Sequence, residues 1–182
     1  PKTPDLSNLI EIKSNTIKKM VDAIVVCLVL ANILSNSWYS LVVPFLPLEL
    51  DKWGIDISLI GYVFWIYSIA VIIGSPLVGK ALAKIGRKVI LIGGLCSMGL
   101  SMIGFGASDY SPNKQIFTFL VFALRFWQGS SSCAIQTTSL AVISMAYPKE
   151  QEKYIAIVQT AIGTGLILGP VIGTFLYSIF GF

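Results

Sequence analysis

The chain has 182 residues, 55% of them hydrophobic and only 12% charged, with a mean hydropathy of +0.80, which excludes an ordinary soluble domain. Its net charge of +4 gathers beside apolar runs, a pattern of membrane orientation rather than of nucleic-acid binding. With no histidine to activate a serine, and with Cys27, Cys96 and Cys133 standing singly inside apolar runs, no catalytic residue, cofactor or metal site is expected.

A spanning helix needs about 20 mostly apolar residues. Five stretches satisfy this, roughly 20–43, 57–79, 88–107, 115–146 and 153–180. The expected fold is therefore all-α, a polytopic membrane bundle occupying 20–182, with 1–19 as a cytoplasmic tail. That tail mixes lysines with acids and lacks the order of a secretory signal. Leu6, Leu9, Ile10 and Ile17 would form the apolar side of a short interfacial helix, and a solvated tail is the alternative.

On the first span Asn32, Ser35, Asn36 and Tyr39 recur at i, i+3, i+4 and i+7, a polar stripe on an apolar helix. The next connection, "PFLPLELDKWGID", carries Glu49, Asp51 and Asp56 against the single Lys52. After the second span Lys80, Lys84, Arg87 and Lys88 fall close together with no acid among them. Together with Lys13, Lys18 and Lys19 before the first span, they put the amino terminus and the 80–88 loop on the cytoplasmic side, against anionic lipid.

Arg125 lies about ten residues into the fourth span, so about 15 Å deep and near the bilayer midplane. An arginine there costs about 2.5–3.5 kcal/mol on insertion scales. No acid on a neighbouring turn offsets it, so it must face a wet cavity or a buried acceptor. Gln128, Ser132 and Gln136 continue its stripe along one face. Two such stripes on two helices can line one aqueous path; bonding between packed helices is the other reading. On the fifth span Gly165, Gly169 and Gly173 share a face that admits a second backbone, and Pro170 frees the Leu166 carbonyl and permits a bend.

Three of these stretches carry a resemblance. "GKALAKIGRK" is similar to the G-x-L-x-D-R-x-G-R-K signature between the second and third helices of the major facilitator superfamily, with matches at Gly79, Lys84, Gly86, Arg87 and Lys88. "RFWQG", containing Arg125, Gln128 and Gly129, resembles that family's fourth-helix R-x-x-Q-G motif. "GLILGPVIG" resembles the fifth-helix motif of its proton-coupled drug and amine antiporters. The three motifs, in order on successive helices, cover nearly the whole chain.

The resemblance implies a secondary active transporter of small organic solutes, working by alternating access with proton antiport. It implies that the first and fourth helices line the solute cavity through Asn32, Ser35, Asn36, Tyr39, Ser132 and Gln136, and that Arg125, Gln128 and Gly129 serve coupling. The sequence departs from the family at both acids that should face Arg87, which are Ala83 in the loop signature and Met145 near the end of the fourth helix. A weak cytoplasmic latch is expected, and a non-transporting subunit of a larger assembly is the competing reading. Vesicular amine transporters carry an aspartate where Ser35 stands, which counts against a monoamine. Family members have about twelve helices in two halves. A carboxy-terminal half or partner subunits are therefore expected to cover the cavity wall and the glycine face, with lipid and a small solute as the other partners.

Overall fold

The computed structural model describes the backbone of residues 6–180 apart from 57 and 109, and the side chains of 22–179 with the same exceptions. Six helices make up this region: α1 (Leu6–Leu41), α2 (Leu46–Lys52), α3 (Leu59–Ile85), α4 (Arg87–Ser108), α5 (Lys114–Ala146) and α6 (Gln151–Phe180). No strand occurs among the described residues. The all-α expectation holds, with four differences in detail.

The first span reaches back further than its apolar run, because α1 is helical from Leu6. The side chains of Leu6, Leu9, Ile10, Lys13, Ile17, Lys18 and Lys19 lie outside the described residues.

The stretch read as a loop before the second span contains α2. Pro47 stands in its first turn, where a missing N–H costs nothing, and Leu46 and Leu50 bury their side chains. They join Val42, Phe45, Ile55, Val63, Phe105 and Phe117 in the largest apolar cluster, so burial holds a seven-residue helix too short to persist alone.

The 80–88 loop is a single residue. Lys80–Ile85 consists of strong helix formers and extends α3, while Arg87 already opens α4. Gly86 makes the reversal at φ 93°, ψ 147°, a region that residues with a Cβ rarely enter.

Finally, among the described residues four helical stretches rather than five are both long and apolar enough to cross a membrane: the one starting at Asp22 in α1, then α3, α4 and α6. The exception, α5, is long but carries Arg125, three glutamines and a run of serines and threonines. It occupies the middle of the bundle, covered by α3 on one side and α4 on another, so Arg125, Gln128, Ser131, Ser132, Thr138 and Ser139 are buried away from lipid.

The second main contact joins α1 to α6 and answers the question raised by the glycine face. A Cβ at Gly165 would lie 2.5 Å from the Ile33 carbonyl oxygen and 3.0 Å from the Asn36 Cβ. One at Gly169 would overlap the Ser40 hydroxyl, and one at Gly173 the Leu41 carbonyl. The helix that covers this face is α1 of the same chain, not an additional helix or a partner.

The long helices alternate in direction. The start of α1, the Gly86 corner and the α5–α6 turn thus share one end of the bundle, and α2, the α4–α5 turn and the end of α6 share the other.

Candidate functional site

Arg125 is completely buried, at the level where α1, α3, α4 and α5 converge. Its Nη1 donates to Gln128 Oε1 at 2.7 Å and to the Tyr39 carbonyl at 3.3 Å. Three ring faces surround the guanidinium carbon, with the centroids of Tyr39, Phe64 and Phe105 at 5.4, 4.9 and 5.3 Å. Nε and Nη2 have no hydrogen-bond partner among the described residues. The two ion pairs found there, Lys52–Glu49 and Lys153–Glu150, both lie elsewhere.

The charge is therefore held by π faces and neutral oxygens. Of the two resting places open to Arg125, a wet cavity or a buried acceptor, the structure uses the acceptor. Gln128 is itself buried and reaches the Trp38 carbonyl at 3.5 Å with Nε2, which ties α5 to α1 just behind Tyr39.

An open cavity of about 320 Å³ lies next to this cluster, lined by Asn36, Tyr39, Tyr67, Ser68, Gln136 and Leu166 with two aliphatic neighbours. The Tyr39 and Tyr67 rings approach to 4.2 Å. Tyr39 is shared by both environments, since its ring edges the cavity while its carbonyl and ring face contact Arg125. The cavity walls offer amides, hydroxyls and aromatic faces, and no carboxylate.

Asn36, Tyr39 and Gln136 are thus on the cavity wall. Asn32, Ser35 and Ser132 are not: all three are completely buried between α1 and α5. Asn32 Nδ2 donates to Ser139 Oγ at 2.8 Å, and Ser35 Oγ to Ser132 Oγ at 3.4 Å. These residues bridge two helices, as the packing reading of the stripe expects, because their side of α1 points at α5, where the Asn32 amide N–H and both serine hydroxyls find partners, while Asn32 Oδ1 has none among the described residues. Gly129 brings α5 against α3, since a Cβ there would lie 2.5 Å from the Tyr67 carbonyl oxygen.

Tyr67, Ser68, Phe64 and Phe105 were missed in the sequence, where they look like ordinary members of apolar runs. The recurrence of Phe64, Tyr67 and Val71 at helical spacing was the available signal.

The residues of the loop signature gather around the Gly86 corner, at one end of the bundle. Gly79 is exposed within α3, with open space around it. Lys84 and Lys88 are exposed, Arg87 is half-buried, and Ala83 and Met145 are exposed. Arg87 forms no ion pair among the described residues. Gly165, Gly169, Pro170 and Gly173 lie on α6, with the three glycines buried against α1.

Residues 27–182 match the sequence profile of the Major Facilitator Superfamily. The chain is 32% identical over 151 residues to the human protein named MFS-type transporter SLC18B1, a stretch covering 83% of this chain and 33% of that protein. It is 31% identical over 137 residues to Multidrug resistance protein 2 of Bacillus subtilis, covering 75% and 32% respectively. It is 30% identical over 151 residues to the Multi-drug resistance efflux pump PmrA homolog of Lactococcus lactis, covering 80% and 35%. The chain spans about a third of the length of these relatives.

Proposed function

Because the chain belongs to the Major Facilitator Superfamily, we propose that it supplies the amino-terminal helices of a secondary transporter that moves small organic solutes by alternating access with proton antiport. The observation that carries this reading is Tyr39, which joins a fully buried, acid-free arginine to an open cavity. The solute lies against Tyr39, Tyr67, Asn36 and Gln136, and a second half or partner subunits close the other side. The names of the Bacillus and Lactococcus relatives support an organic solute, and the glycine motif of α6 supports antiport.

Arg125 works as a fixed charge. Its guanidinium does not deprotonate in proteins, so it biases a proton held elsewhere rather than carrying one. A solute that displaces Tyr39 changes both the ring face and the carbonyl that hold Arg125, and the cost of the buried charge changes with them. Solute occupancy is thereby linked to the relative stability of the two access states. The protein is integral and multi-pass, with the amino terminus and the Gly86 corner cytoplasmic, a reading supported by the lysine and arginine distribution.

The test is gradient-driven movement of a panel of organic cations, ethidium among them, by the full-length protein in liposomes. Arg125→Ala is expected to abolish it while insertion is unchanged. Arg125→Lys keeps a charge but loses the planar fork, and should restore only part. Full transport by the alanine variant would remove Arg125 from the mechanism.

A further inference from the structure

Glu49 is the one buried carboxylate among the described residues, 1% exposed on α2, and the Arg125 cluster makes no use of it. Its Oε1 accepts from the Tyr177 hydroxyl of α6 at 2.9 Å and from Lys52 Nζ at 2.5 Å. Lys52 also donates to the Tyr177 oxygen at 3.1 Å, and the Tyr177 ring stacks on Phe45 with centroids 5.3 Å apart. One oxygen of one carboxylate thus fastens the far end of α6 to α2, at the end of the bundle opposite Gly86. The partners differ sharply in exposure, since the Lys52 side chain is 60% exposed while the carboxylate it neutralises is not.

We propose that Glu49 is a proton-binding site whose occupancy decides whether α6 is fastened to α2. A proton from solvent adds to Oε1 and forms one O–H bond; nothing is oxidised or reduced, and the cluster gains one positive charge. Lys52 loses its counter-ion and turns its ammonium, still charged, to the water it already meets. Tyr177 loses a charged acceptor, and hydrogen bonds to charged groups are roughly twice as strong as neutral ones. The ring stack on Phe45 is then what remains of the fastening.

Lys52 and Tyr177 are the titratable groups that face Glu49. Asp51 on the same helix is exposed, Asp56 is exposed and accepts the Ser58 backbone N–H at 2.8 Å, and Lys114 of α5 is engaged by the Gly54 carbonyl. Beside them Phe45, stacked on Tyr177, and the buried Leu46 and Leu50 of the same helix are apolar. Glu49 therefore exchanges its proton with solvent at the Lys52 edge, on the side of the membrane opposite the basic corner.

As a coupling element this site rests on the proposed proton antiport; as a fastening it can be tested without solute or gradient. Spin labels at Leu48 and Ser178, both exposed, would report the α2–α6 distance in the full-length protein in nanodiscs, with Cys27, Cys96 and Cys133 replaced by alanine. A single narrow distance is expected at about pH 8, giving way to a longer and broader one at about pH 4. Glu49→Gln should show the long, broad distribution at both pH values. Tyr177→Phe keeps the ring stack and removes only the hydroxyl, and should behave the same way. A wild-type distance that ignores pH, an acid shift that survives Glu49→Gln, or a glutamine variant that stays narrow would each overturn the proposal. Such failures would leave the transport reading intact, and an active Arg125→Ala variant would leave this one intact.

Discussion

Arg125 shows how a charge is kept in an apolar bundle when no acid is at hand. The side-chain acceptor found for its guanidinium is Gln128 Oε1, and the remaining shell is three ring faces and the Tyr39 carbonyl. Removing that acceptor while keeping the charge should be costly, because a hydrogen bond to a charged group contributes about 1.5–3 kcal/mol. Gln128→Leu is therefore expected to destabilise the bundle by that order, read as a lowered thermal unfolding midpoint, and the loss should largely vanish in the Arg125→Met, Gln128→Leu double variant. Equal loss in the single and double variants would show that Gln128 stabilises by some other route. At Gly86 the constraint is in the backbone. A φ of 93° with ψ 147° is strained for any residue with a Cβ, at a cost of about 1–3 kcal/mol, and open space around the residue removes a steric explanation. Gly86→Ala should destabilise by this amount while Gly79→Ala, inside α3, does not.

At the scale of the element, the sequence shows α6 with three glycines on one face, but the contact they make runs along α1 from Ile33 to Leu41. Helices in lipid gain nothing from hiding apolar surface from each other, so close backbone approach and hydrogen bonds between helices must hold them together. The Ser40 hydroxyl, which reaches the Gly165 carbonyl at 3.3 Å, is one such bond. Gly169→Val should force the two helices apart at a cost of about 1–3 kcal/mol, the range typical of overpacking. Gly163→Ala, where nothing lies within 4 Å, should be neutral or should stabilise α6 by up to about 1 kcal/mol through helix propensity. Thermal unfolding of both variants in the same detergent separates a packing glycine from an incidental one. Equal effects would mean that the face is not a tight contact.

At the scale of the whole molecule, the alternation of α1, α3, α4, α5 and α6 puts Asp51, on α2, and Lys84, on α3, at opposite ends of the bundle, separated by α3, whose 27 residues span about 40 Å, more than the hydrocarbon thickness. Single cysteines at these two positions, in a background without other cysteines, should react with a membrane-impermeant reagent from opposite sides. The position-84 cysteine should be reached from the cytoplasm. Reaction of both from one side would overturn the topology. The outward faces of the bundle fit the same placement, with Trp65, Ile103, Ile167 and Phe175 exposed around its circumference at helical depths where lipid, not water, would meet them.

The sequence by itself determined the helical class, the approximate spans and the family, because each is written in local signals: apolar runs of spanning length, cations beside them, and motifs of a few consecutive residues. It also singled out Arg125, since a charge far inside an apolar run is conspicuous in one dimension. What lies next to Arg125 was decided only by the tertiary structure, because Tyr39, Phe64 and Phe105 come from three other helices, and aromatic residues in apolar runs carry no mark of which will turn toward a cation. The polar stripe of α1 was legible as a stripe. Its division into Asn32 and Ser35 against α5, and Asn36 and Tyr39 at the cavity, depends on how α1 is rotated against its neighbours, which no residue pattern within α1 states. Glu49 is the clearest case. In the sequence it is one of several acids in a connection, and only the return of α6, 128 positions later, makes it a buried group with a tyrosine on its oxygen.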